Sequence, residues 1–371
     1  MIGAGQLARM MGEVAPSLGL SVTVLATSLD DAAVATCDEV IVGDAQDPSA
    51  LDALGESVDV VTFDHELVDL HQIEALESRG VVVRPSARAL EFAVDKAHQR
   101  RTFFDAGLPV PRFLVVNSSD DPRLSSLLDE LGDPPVVKAS RGGYDGRGVL
   151  FPRDRHETLR MIDDLAESSD VVVEERLQLQ SEVAQLIARG TDGSTALYPL
   201  VTTVQSEGMC VEVVFPAQVT NELAQRASEL AEQIASLIDV VGILAIEFFV
   251  TSDGLFINEV ALRPHNSGHW TIEGVRTSQF ANHLLAVSGE ALGDVTALCD
   301  NAVMVNVVGS DQPSSLELAM TVEGAFVHDY GKSWRPGRKL GHVTVLGDSA
   351  AQVHVRAWES ARAYGTRTRE A

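Results

Sequence analysis

Two glutamates flank a short turn in the second half of the chain, and their spacing suggests a metal site. Glu247 lies in the apolar run ILAIEFFV, and Glu259 follows Asn258 in the next apolar run. The turn at residues 251–254, Thr-Ser-Asp-Gly, predicts a hairpin in which the two glutamates lie side by side. Neighbouring carboxylates among apolar residues are costly without a cation, and their oxygens suit Mg²⁺ bridged to phosphates. The alternative is an ordinary acidic face.

A glycine-rich loop follows an apolar run that contains a lysine. Lys138 lies near the end of the run PPVVKAS, and the segment SRGGYDGRG, residues 140–148, contains four glycines. The backbone of such a loop can approach phosphate oxygens closely, and Lys138 is placed to reach a phosphate. We therefore interpret residues 140–148, the glycine loop, as a phosphate-binding segment. A solvated surface loop is the alternative.

Acidic residues close the next apolar run, VVVEERL. Glu174 and Glu175 end this run, and Glu182 follows soon after. Their carboxylates could bind a ribose hydroxyl or an adenine amino group. An exposed strand end explains the same pattern, so the residues alone leave both interpretations open.

Two further polar segments suggest anion binding. The segment RPHNSGHW, residues 263–270, begins four residues after Glu259, so we expect its polar groups in the same cleft as the metal. The segment KSWRPGRK, residues 332–339, contains two of the four lysines of the chain. In an acidic protein, an anion site is the natural interpretation of this basic loop, and a solvated loop is the alternative.

The N-terminal residues 3–8, Gly-Ala-Gly-Gln-Leu-Ala, match the G-x-G-x-x-A pattern of dinucleotide-binding turns. The following β-rich run, SVTVLAT, contains no acidic residue to bind a ribose. A glycine turn at a helix N-terminus also binds phosphate, through free N–H groups and the helix dipole. We therefore prefer a substrate phosphate over a dinucleotide, and a tight turn without a ligand is the third alternative.

Composition excludes several classes of protein. The chain has 371 residues, 45% of them hydrophobic, and a net charge of −26, which indicates a globular protein of two or three domains. The negative charge argues against binding to nucleic acid or to an anionic membrane. We find no signal peptide and no apolar run of the roughly 18–20 residues that span a bilayer. The three cysteines, which lack metal-ligand spacing, indicate reduced thiols of a cytoplasmic protein.

The hydrophobic pattern predicts the order of the elements. Residues 1–90 alternate helical and β-rich runs, which is typical of a parallel sheet built from βαβ units, although only two residues precede the first glycine turn. Residues 91–112 predict one helix, ended by Gly107 and Pro109. Beyond residue 183 we expect antiparallel strands, an amphipathic helix over ELAQRASELAEQIASLIDVVG, and a β-rich tail from about residue 303.

Taken together, these motifs resemble the ATP-grasp superfamily. They are Lys138 with GGYDGRG, the Glu247 and Asn258-Glu259 pair, RPHNSGHW and RPGRKLGH. Within the superfamily, the chain resembles the ATP-dependent carboxyaminoimidazole ribonucleotide synthetase family over residues 3 to about 345. The combination of GGYDGRG and HNSGHW is the most specific part of the match. The short first strand departs from the family pattern, and of the segment TFDHE, residues 62–66, only Glu66 is carried over.

The resemblance implies an α/β ATP-grasp fold in three parts. Residues 1–90 are expected to form an N-terminal parallel-sheet domain. Residues 91–302 would form the ATP-grasp region, with a small lid at about 112–177 and a larger antiparallel sheet that holds the metal. Residues 303–371 would form a small C-terminal β-rich domain.

The resemblance also implies the roles of the site residues. Those expected to bind ATP are Lys96, Lys138, Gly143, Tyr144, Asp145, Gly146, Arg147, Gly148, Val149, Glu174, Glu175, Arg176, Leu177, Glu182, Gln205, Asn258 and Glu259. Those expected to bind the ribonucleotide are Gln6, Leu7, Glu66, Tyr144, Asp145, Arg147, Arg338 and Lys339. Those expected in catalysis are Arg263, His265, Asn266 and Lys332, and those expected to bind the metal are Glu247 and Glu259.

The implied activity is the ATP- and bicarbonate-dependent carboxylation of 5-aminoimidazole ribonucleotide through carboxyphosphate, a step of purine (IMP) biosynthesis. The protein would then be a cytoplasmic, homodimeric carbon–nitrogen ligase that uses ATP and Mg²⁺, with Mn²⁺ as an alternative metal. No nucleic acid or membrane is expected as a partner. Two rival hypotheses are a formate-dependent ribonucleotide formyltransferase of the same superfamily, and a dinucleotide-dependent dehydrogenase or a binding protein without catalysis.

Overall fold

The structure of the protein, a computed structural model, describes residues 1–142, 148–206, 208–311 and 314–366. The strands are β1 (Thr23–Ala26), β2 (Glu39–Val42), β3 (Phe113–Val116), β4 (Val136–Ala139), β5 (Val149–Leu150), β6 (Val171–Glu174), β7 (Ser181–Arg189), β8 (Thr195–Leu197), β9 (Val201–Ser206), β10 (Met209–Phe215), β11 (Gly242–Thr251), β12 (Gly254–Ala261), β13 (Asn301–Val308), β14 (Ala325–Asp329) and β15 (Lys339–Gly347). The α-helices are α1 (Gln6–Val14), α2 (Pro48–Ser57), α3 (Leu70–Ser78), α4 (Ala87–Val94), α5 (Lys96–Asp105), α6 (Pro122–Leu131), α7 (Arg155–Ala166), α8 (Asn221–Ile238), α9 (Thr271–Gly274), α10 (Gln279–Ser288), α11 (Leu316–Met320) and α12 (Ala350–Ala363).

The N-terminal part contains the predicted parallel sheet in a short form. Strands β1 and β2 are parallel, and Ile2 bridges to Leu25 on one side and to Phe63 on the other, both in parallel. The predicted strands VDVVTF and GVVVRP are present only as single parallel bridges, from Phe63 to Ile2 and from Val61 to Val83. Ile2 nevertheless occupies the middle of this layer, because its N–H donates to a main-chain oxygen at residue 62 and its carbonyl accepts from residue 64.

The larger sheet has nine strands, and the strands of the C-terminal region are part of it. Its order is β12-β11-β7-β9-β10-β13-β15-β14, with β8 paired to β7, and every pairing is antiparallel. The prediction of an N-terminal parallel sheet and a larger antiparallel sheet is therefore confirmed. Helix α8 begins after Thr220, whose hydroxyl accepts from Leu223 N–H, and its apolar face packs against β7, β11 and β12.

A third, four-stranded sheet, β3-β6-β4-β5, covers residues 113–174. One face packs on helices α6 and α7 around a small apolar core that includes Leu124, Val137 and Ile162. The other face meets α5 through a smaller cluster of Ala97 and Val172. The range of this sheet coincides with the segment predicted as the lid.

The single helix predicted over residues 91–112 was wrong, because two helices meet there. Helix α4 ends at Val94, and α5 begins at Lys96. Asp95 is extended between them, and its carboxylate accepts from the N–H groups of Ala97 and His98. An aspartate that caps a new helix in this way turns the chain sharply, and this turn places Lys96 at the first position of α5.

No helix in the described ranges is long and apolar enough to cross a membrane.

His283 connects three elements in the interior. Its Nδ1 accepts from the N–H of Ile243 at 3.2 Å, which leaves the proton on Nε2, 2.8 Å from the hydroxyl oxygen of Thr62. The side chain lies on α10 and is fully buried, and this burial lowers the pKa of His283 to about 3. A protonated ring at this position would lose the contact to Ile243.

We predict that His283 makes the protein less stable in acid. The unfolded chain binds the proton near pH 6.5 but the folded chain does not until about pH 3, so stability is present above pH 6.5 and falls below it. One such group lowers the free energy of unfolding by about 1.4 kcal/mol per pH unit. Urea denaturation between pH 4 and 7 should show a shallower pH slope for His283→Gln.

The exposed His71 provides the control, since its side chain is 92% exposed. His71→Gln should leave the pH slope unchanged. Equal slopes for His283→Gln and the unmodified protein would show that His283 is not the buried neutral group described above.

Candidate active site

A cleft of about 750 Å³ lies between the N-terminal sheet, the acidic hairpin formed by β11 and β12, and the basic loop. The predicted site residues that line it are Gln6, Leu7, Glu66, Lys96, Val149, Gln205, Glu247, Glu259, Arg263, His265, Asn266 and Lys339. The predicted residues that are described but lie outside this lining are Lys138, Gly148, Glu174, Glu175, Arg176, Leu177, Glu182, Asn258, Lys332 and Arg338. Residues 143–147 of the glycine loop, which are Gly143, Tyr144, Asp145, Gly146 and Arg147, fall outside the described residues.

The acidic hairpin places two carboxylates opposite each other, as predicted. Glu247 on β11 pairs directly with Glu259 on β12, and the register shifts immediately afterwards, so that Phe248 pairs with Ile257. Asn258 is therefore the extra residue of a β-bulge, and its side-chain amide donates to Glu247 Oε2 at 3.3 Å. The bulge brings Asn258 and Glu259 together beside Glu247.

These carboxylates concentrate negative charge. Burial, together with the charges of Glu259 and Glu182, raises the pKa of Glu247 to about 8. Burial and the charge of Glu259 raise the pKa of Glu182 to about 7. Burial also opposes ionisation of Glu259, but the Lys96 ammonium, 3.4 Å from its Oε2, and other nearby cations hold the pKa of Glu259 below its usual range. A cation bound here would relieve the excess negative charge.

The donor set of the hairpin fits Mg²⁺ as a partner shared with phosphate. No group of three or more His, Cys, Asp or Glu side chains in the part of the chain that the structure describes is arranged to hold a metal by itself. Glu247 and Glu259 would supply two hard oxygen ligands, and Asn258 is hydrogen-bonded to Glu247. Mg²⁺ commonly takes one or two carboxylates from the protein and completes its shell with phosphate and water.

The Glu174 side chain is engaged within the protein. It is 2% exposed, and it accepts from Arg100 Nε at one oxygen and lies 2.6 Å from Lys138 Nζ at the other. Burial alone would raise its pKa, but the charges of Arg100 and Lys138 lower the pKa of Glu174 to about 2. Both oxygens of the Glu174 carboxylate are therefore engaged by cations of the protein itself.

The next two residues also contact other parts of the protein. Glu175 pairs with the Arg112 guanidinium at 2.8 and 2.9 Å, and the Arg176 guanidinium lies 5.4 Å from the centre of the Phe151 ring. The role of this segment in binding adenine stays a prediction.

The residues predicted for catalysis are held in place by several elements. Arg263 pairs with Glu66 at 2.6 Å, which joins the hairpin to the N-terminal part. Gln279 fixes the main chain of His265, because its amide accepts from His265 N–H and donates to His265 C=O, both at 2.8 Å. Burial and the charge of Arg263 lower the pKa of His265 to about 4, and its Nε2 lies 3.8 Å from Glu247 Oε1. His265 is therefore a neutral imidazole beside the Glu247 carboxylate.

The basic loop reaches the N-terminal turn. Lys332 Nζ donates to Gln6 Oε1 at 2.5 Å and lies 5.5 Å from the centre of the Tyr330 ring. Lys339 lines the cleft directly. Arg338 instead donates to the carbonyl and hydroxyl oxygens of Ser333, at 3.2 and 2.7 Å, within its own loop.

The N-terminal glycine turn differs from the prediction of free N–H groups. The amides of Gly5 and Ala8 donate to the Asp64 carboxylate at 2.7 and 2.8 Å. A Cβ atom on Gly5 would lie 2.5 Å from Asp64 Oδ2, so this close approach requires glycine. Asp64 therefore occupies two of the donors that we had assigned to a phosphate, while Gln6 and Leu7 still line the cleft.

Several residues of the site were missed in the sequence. Arg100 lies four residues after Lys96, a spacing that places both on one face of α5, and this was the available signal. His269 belongs to the segment RPHNSGHW, but only its neighbours were singled out. Asp64 gave no local signal, because its partners Gly5 and Ala8 are 59 and 56 residues away in sequence. Tyr330, which lines the cleft, was also missed.

Family models match almost the whole chain. They are the ribonucleotide synthetase preATP-grasp domain over residues 1–94, the ATP-grasp domain over residues 101–280, and the phosphoribosylaminoimidazole carboxylase C-terminal domain over residues 302–356. The N5-carboxyaminoimidazole ribonucleotide synthase of Mycobacterium tuberculosis is 44% identical over 367 residues, which cover 96% of this chain and 85% of that protein.

Solved structures agree with this similarity. The N5-carboxyaminoimidazole ribonucleotide synthetase of Thermus thermophilus superposes with a TM-score of 0.89 at 35% identity and covers all of both chains. The N5-carboxyaminoimidazole synthase of Aspergillus clavatus, in complex with ADP and 5-aminoimidazole ribonucleotide, has a TM-score of 0.88 at 27% identity and covers 98% of each chain.

We predict that Asp64→Asn destabilises the protein. An amide offers one acceptor oxygen in place of two, so an NH₂ group would face the N–H of Gly5 or Ala8. Leaving a buried donor unpaired costs about 1–3 kcal/mol. Urea unfolding should show this loss. Asp47→Asn, at the exposed cap of α2, should change stability much less, because asparagine caps helices as well as aspartate does. Equal effects of the two substitutions would contradict the special role of Asp64.

Proposed function

Because this chain belongs to the N5-carboxyaminoimidazole ribonucleotide synthase family, ATP-dependent ligases of purine biosynthesis with the ATP-grasp fold, we propose that it joins bicarbonate to the amine of 5-aminoimidazole ribonucleotide. The observation that carries this proposal is a single cleft lined by the acidic hairpin, the segment RPHN and Lys339. Such a cleft offers a metal site for ATP beside a cationic site for a second phosphate-bearing substrate. The complex of the Aspergillus clavatus relative with ADP and 5-aminoimidazole ribonucleotide supports this choice of substrate.

ATP would bind with its phosphates near Lys96 and Lys138 and its base near the end of β6. The Lys96 ammonium is held beside Glu259, and Lys138 is held by Glu174, so both charges are in place before a nucleotide arrives. Adenine would contact the main chain of residues 174–177, since the Glu174 and Glu175 carboxylates pair with protein cations. Glu182 would accept a ribose hydroxyl. Gly148, Val149, Gln205 and the loop residues 143–147 complete the proposed nucleotide site.

Glu247 and Glu259 would hold Mg²⁺, with Mn²⁺ as an alternative. When bound, the metal supplies positive charge to the phosphate oxygens. His265 lies 3.8 Å from Glu247 and Lys96 lies 3.4 Å from Glu259, so each of the two carboxylates has a neighbour that would help to position it.

The proposed reaction begins with attack of a bicarbonate oxygen on the γ-phosphorus of ATP. A new P–O bond forms, the bond to the β-phosphate oxygen breaks, and ADP leaves with that electron pair. The carboxyphosphate then loses phosphate to give CO₂. The amine nitrogen of the ribonucleotide then forms a bond to the carbon of CO₂ and transfers one proton to the phosphate released in the previous step. Arg263 and Lys332 would stabilise the carboxyl and phosphate oxygens, and neutral His265 and Asn266 would orient them in a site closed to water.

The ribonucleotide would bind across the N-terminal turn and the basic loop. Lys339 would pair with its phosphate, and Gln6, Leu7 and Glu66 would contact the remainder. Arg338 would need to leave its hydrogen bonds with Ser333 to take part. Binding of the ribonucleotide by residues 144, 145 and 147 stays a prediction from the resemblance. The homodimeric state is also a prediction from the resemblance, and a measurement of the mass of the protein in solution tests it.

The first test is substrate-dependent release of ADP. We expect ADP release that requires 5-aminoimidazole ribonucleotide and bicarbonate together and that formate does not replace. The rival formyltransferase would instead respond to formate. Absence of ATP hydrolysis with any ribonucleotide would favour the dehydrogenase or binding-protein hypothesis.

We predict that Glu259→Gln abolishes turnover at ordinary Mg²⁺ concentrations while the protein stays folded, because one of two metal carboxylates is lost. Glu229→Gln, on the exposed side of α8, is the matched control and should keep full activity. Initial rates across a Mg²⁺ titration, with circular dichroism to verify folding, measure both variants. Near-normal turnover of Glu259→Gln would refute the metal assignment.

The two lysines of the basic loop should separate binding from chemistry. Lys339→Ala should raise the Michaelis constant for the ribonucleotide far more than that for ATP, whereas Lys332→Ala should lower kcat and raise the ratio of ADP to carboxylated product. Loss of a charge-assisted contact costs about 1.5–3 kcal/mol, or roughly 10- to 100-fold. Arg356→Ala, in an exposed ion pair on α12, is the control. Wild-type constants for both lysine variants would move the substrate site elsewhere.

A further inference from the structure

Arg100 is a buried cation for which neither the motifs nor the proposed reaction has a role. It is 1% exposed and lies on α5, one turn after Lys96. Each nitrogen of its guanidinium has a partner: Nε donates to Glu174, Nη1 to Gln99 Oε1 at 2.6 Å, and Nη2 to the main-chain oxygen of Asn258 at 2.5 Å. One side chain thus bonds to two different sheets.

The first of these sheets carries the lysine proposed to bind phosphate. Lys138 on β4 pairs with Val172 on β6, and Glu174 lies two residues further along β6, so Lys138 and Glu174 share one face of the four-stranded sheet. That face is turned towards α5, where Val172 packs on Ala97. Glu174 accepts from Arg100 with one oxygen and pairs with Lys138 through the other. The position of Lys138 therefore depends on where Arg100 holds Glu174.

The second sheet carries the carboxylates proposed to bind metal. Asn258 is the bulged residue of β12, between the Glu247–Glu259 pair and the pair that follows. The extra residue of a β-bulge has no partner residue on the neighbouring strand. The carbonyl oxygen of Asn258 accepts a hydrogen bond from the Arg100 guanidinium instead. The amide of the same residue donates to Glu247. Arg100 therefore holds the bulge that presents the acidic pair.

We propose that Arg100 is a positioning residue that holds Lys138 and the Glu247–Glu259 pair at a fixed separation, so that a nucleotide phosphate and its metal are bound as one unit. This inference rests on the proposed function for the identity of the two ligands. It assigns to Arg100 a role in coupling nucleotide binding to metal binding, although Arg100 itself touches neither.

The geometry requires a guanidinium. Its planar fork donates in three directions at fixed angles, whereas a lysine ammonium is a compact charge at the end of a flexible chain. A lysine at position 100 would still balance the charge of Glu174, but it would not reach Glu174 and the Asn258 carbonyl with the same fixed spacing. Arg100→Lys therefore separates the charge of Arg100 from its geometry.

The experiment compares Arg100→Lys with Arg101→Lys, an adjacent arginine that is 56% exposed and makes a loose 3.8 Å pair with Asp170. ADP binding is measured by calorimetry with and without Mg²⁺, alongside the melting temperature and the Michaelis constants for both substrates. In Arg100→Lys we expect the enhancement of ADP binding by Mg²⁺ to fall by about 10-fold or more, with a raised Mg²⁺ requirement for turnover. The Michaelis constant for the ribonucleotide should change little, and Arg101→Lys should match the unmodified protein.

The outcomes distinguish a positioning role from a structural one. If Arg100→Lys is folded and shows unmodified coupling between Mg²⁺ and ADP, the inference is overturned. If Arg100→Lys does not fold, Glu174→Gln is measured in its place, because this substitution keeps the shape of the side chain but weakens its interaction with Lys138. An unchanged enhancement of ADP binding by Mg²⁺ in Glu174→Gln would overturn the inference. If the unmodified protein couples Mg²⁺ and ADP but does not consume the ribonucleotide, the proposed function fails while the role of Arg100 stands.

Discussion

The proposed substrates, a triphosphate and a phosphorylated ribonucleotide, require a cleft that collects cations in a chain whose net charge is −26. Each cation needs a partner, because a buried charge without one is strongly destabilising. Lys138 and Arg100 share Glu174, and Lys96 lies beside Glu259. These pairs hold the cations at set positions before any ligand is present, so little reorganisation is left for the moment of reaction. The same requirement explains why the carboxylate of Glu174, a residue also predicted to bind the nucleotide, pairs with both Arg100 and Lys138.

The features that could be read from the sequence are those whose residues are close together in the chain. The hairpin of Glu247 and Glu259 depends on a turn of four residues between two apolar runs, and its register follows from that turn. The amphipathic pattern of α8 and the antiparallel strands after residue 183 are equally local. The site features that were missed are contacts across the chain: Asp64 with Gly5 is separated by 59 residues, and Arg100 with the Asn258 carbonyl by 158. No periodicity or spacing encodes such a pair.

One wrong prediction, the single helix over residues 91–112, and one feature that was not predicted, the bulge at Asn258, have physical causes. Asp95 lies inside a pattern of helical residues, and its capacity to accept from two main-chain N–H groups favours a new helix start over continuation. The bulge at Asn258 is invisible in the alternation of apolar residues, because an inserted residue shifts the register by one without changing composition. In both cases a short polar side chain redirects the backbone directly before a charged residue of the cleft, which is Lys96 after Asp95 and Glu259 after Asn258.

The contact between Lys332 and Gln6 joins residues separated by 326 positions, and it has a consequence for how the protein is made. A chain that emerges from the ribosome N-terminus first can build the parallel layer and most of the antiparallel sheet before β15 exists, since domains generally fold as they are synthesised. The basic loop, which brings Lys332 to Gln6 and Lys339 into the lining of the cleft, is then added last, with the loop-closure cost of a contact that spans almost the whole chain. A nascent chain would therefore hold the residues proposed to bind the nucleotide before it holds Lys332 and Lys339, and truncated translation products would be unable to complete the cleft.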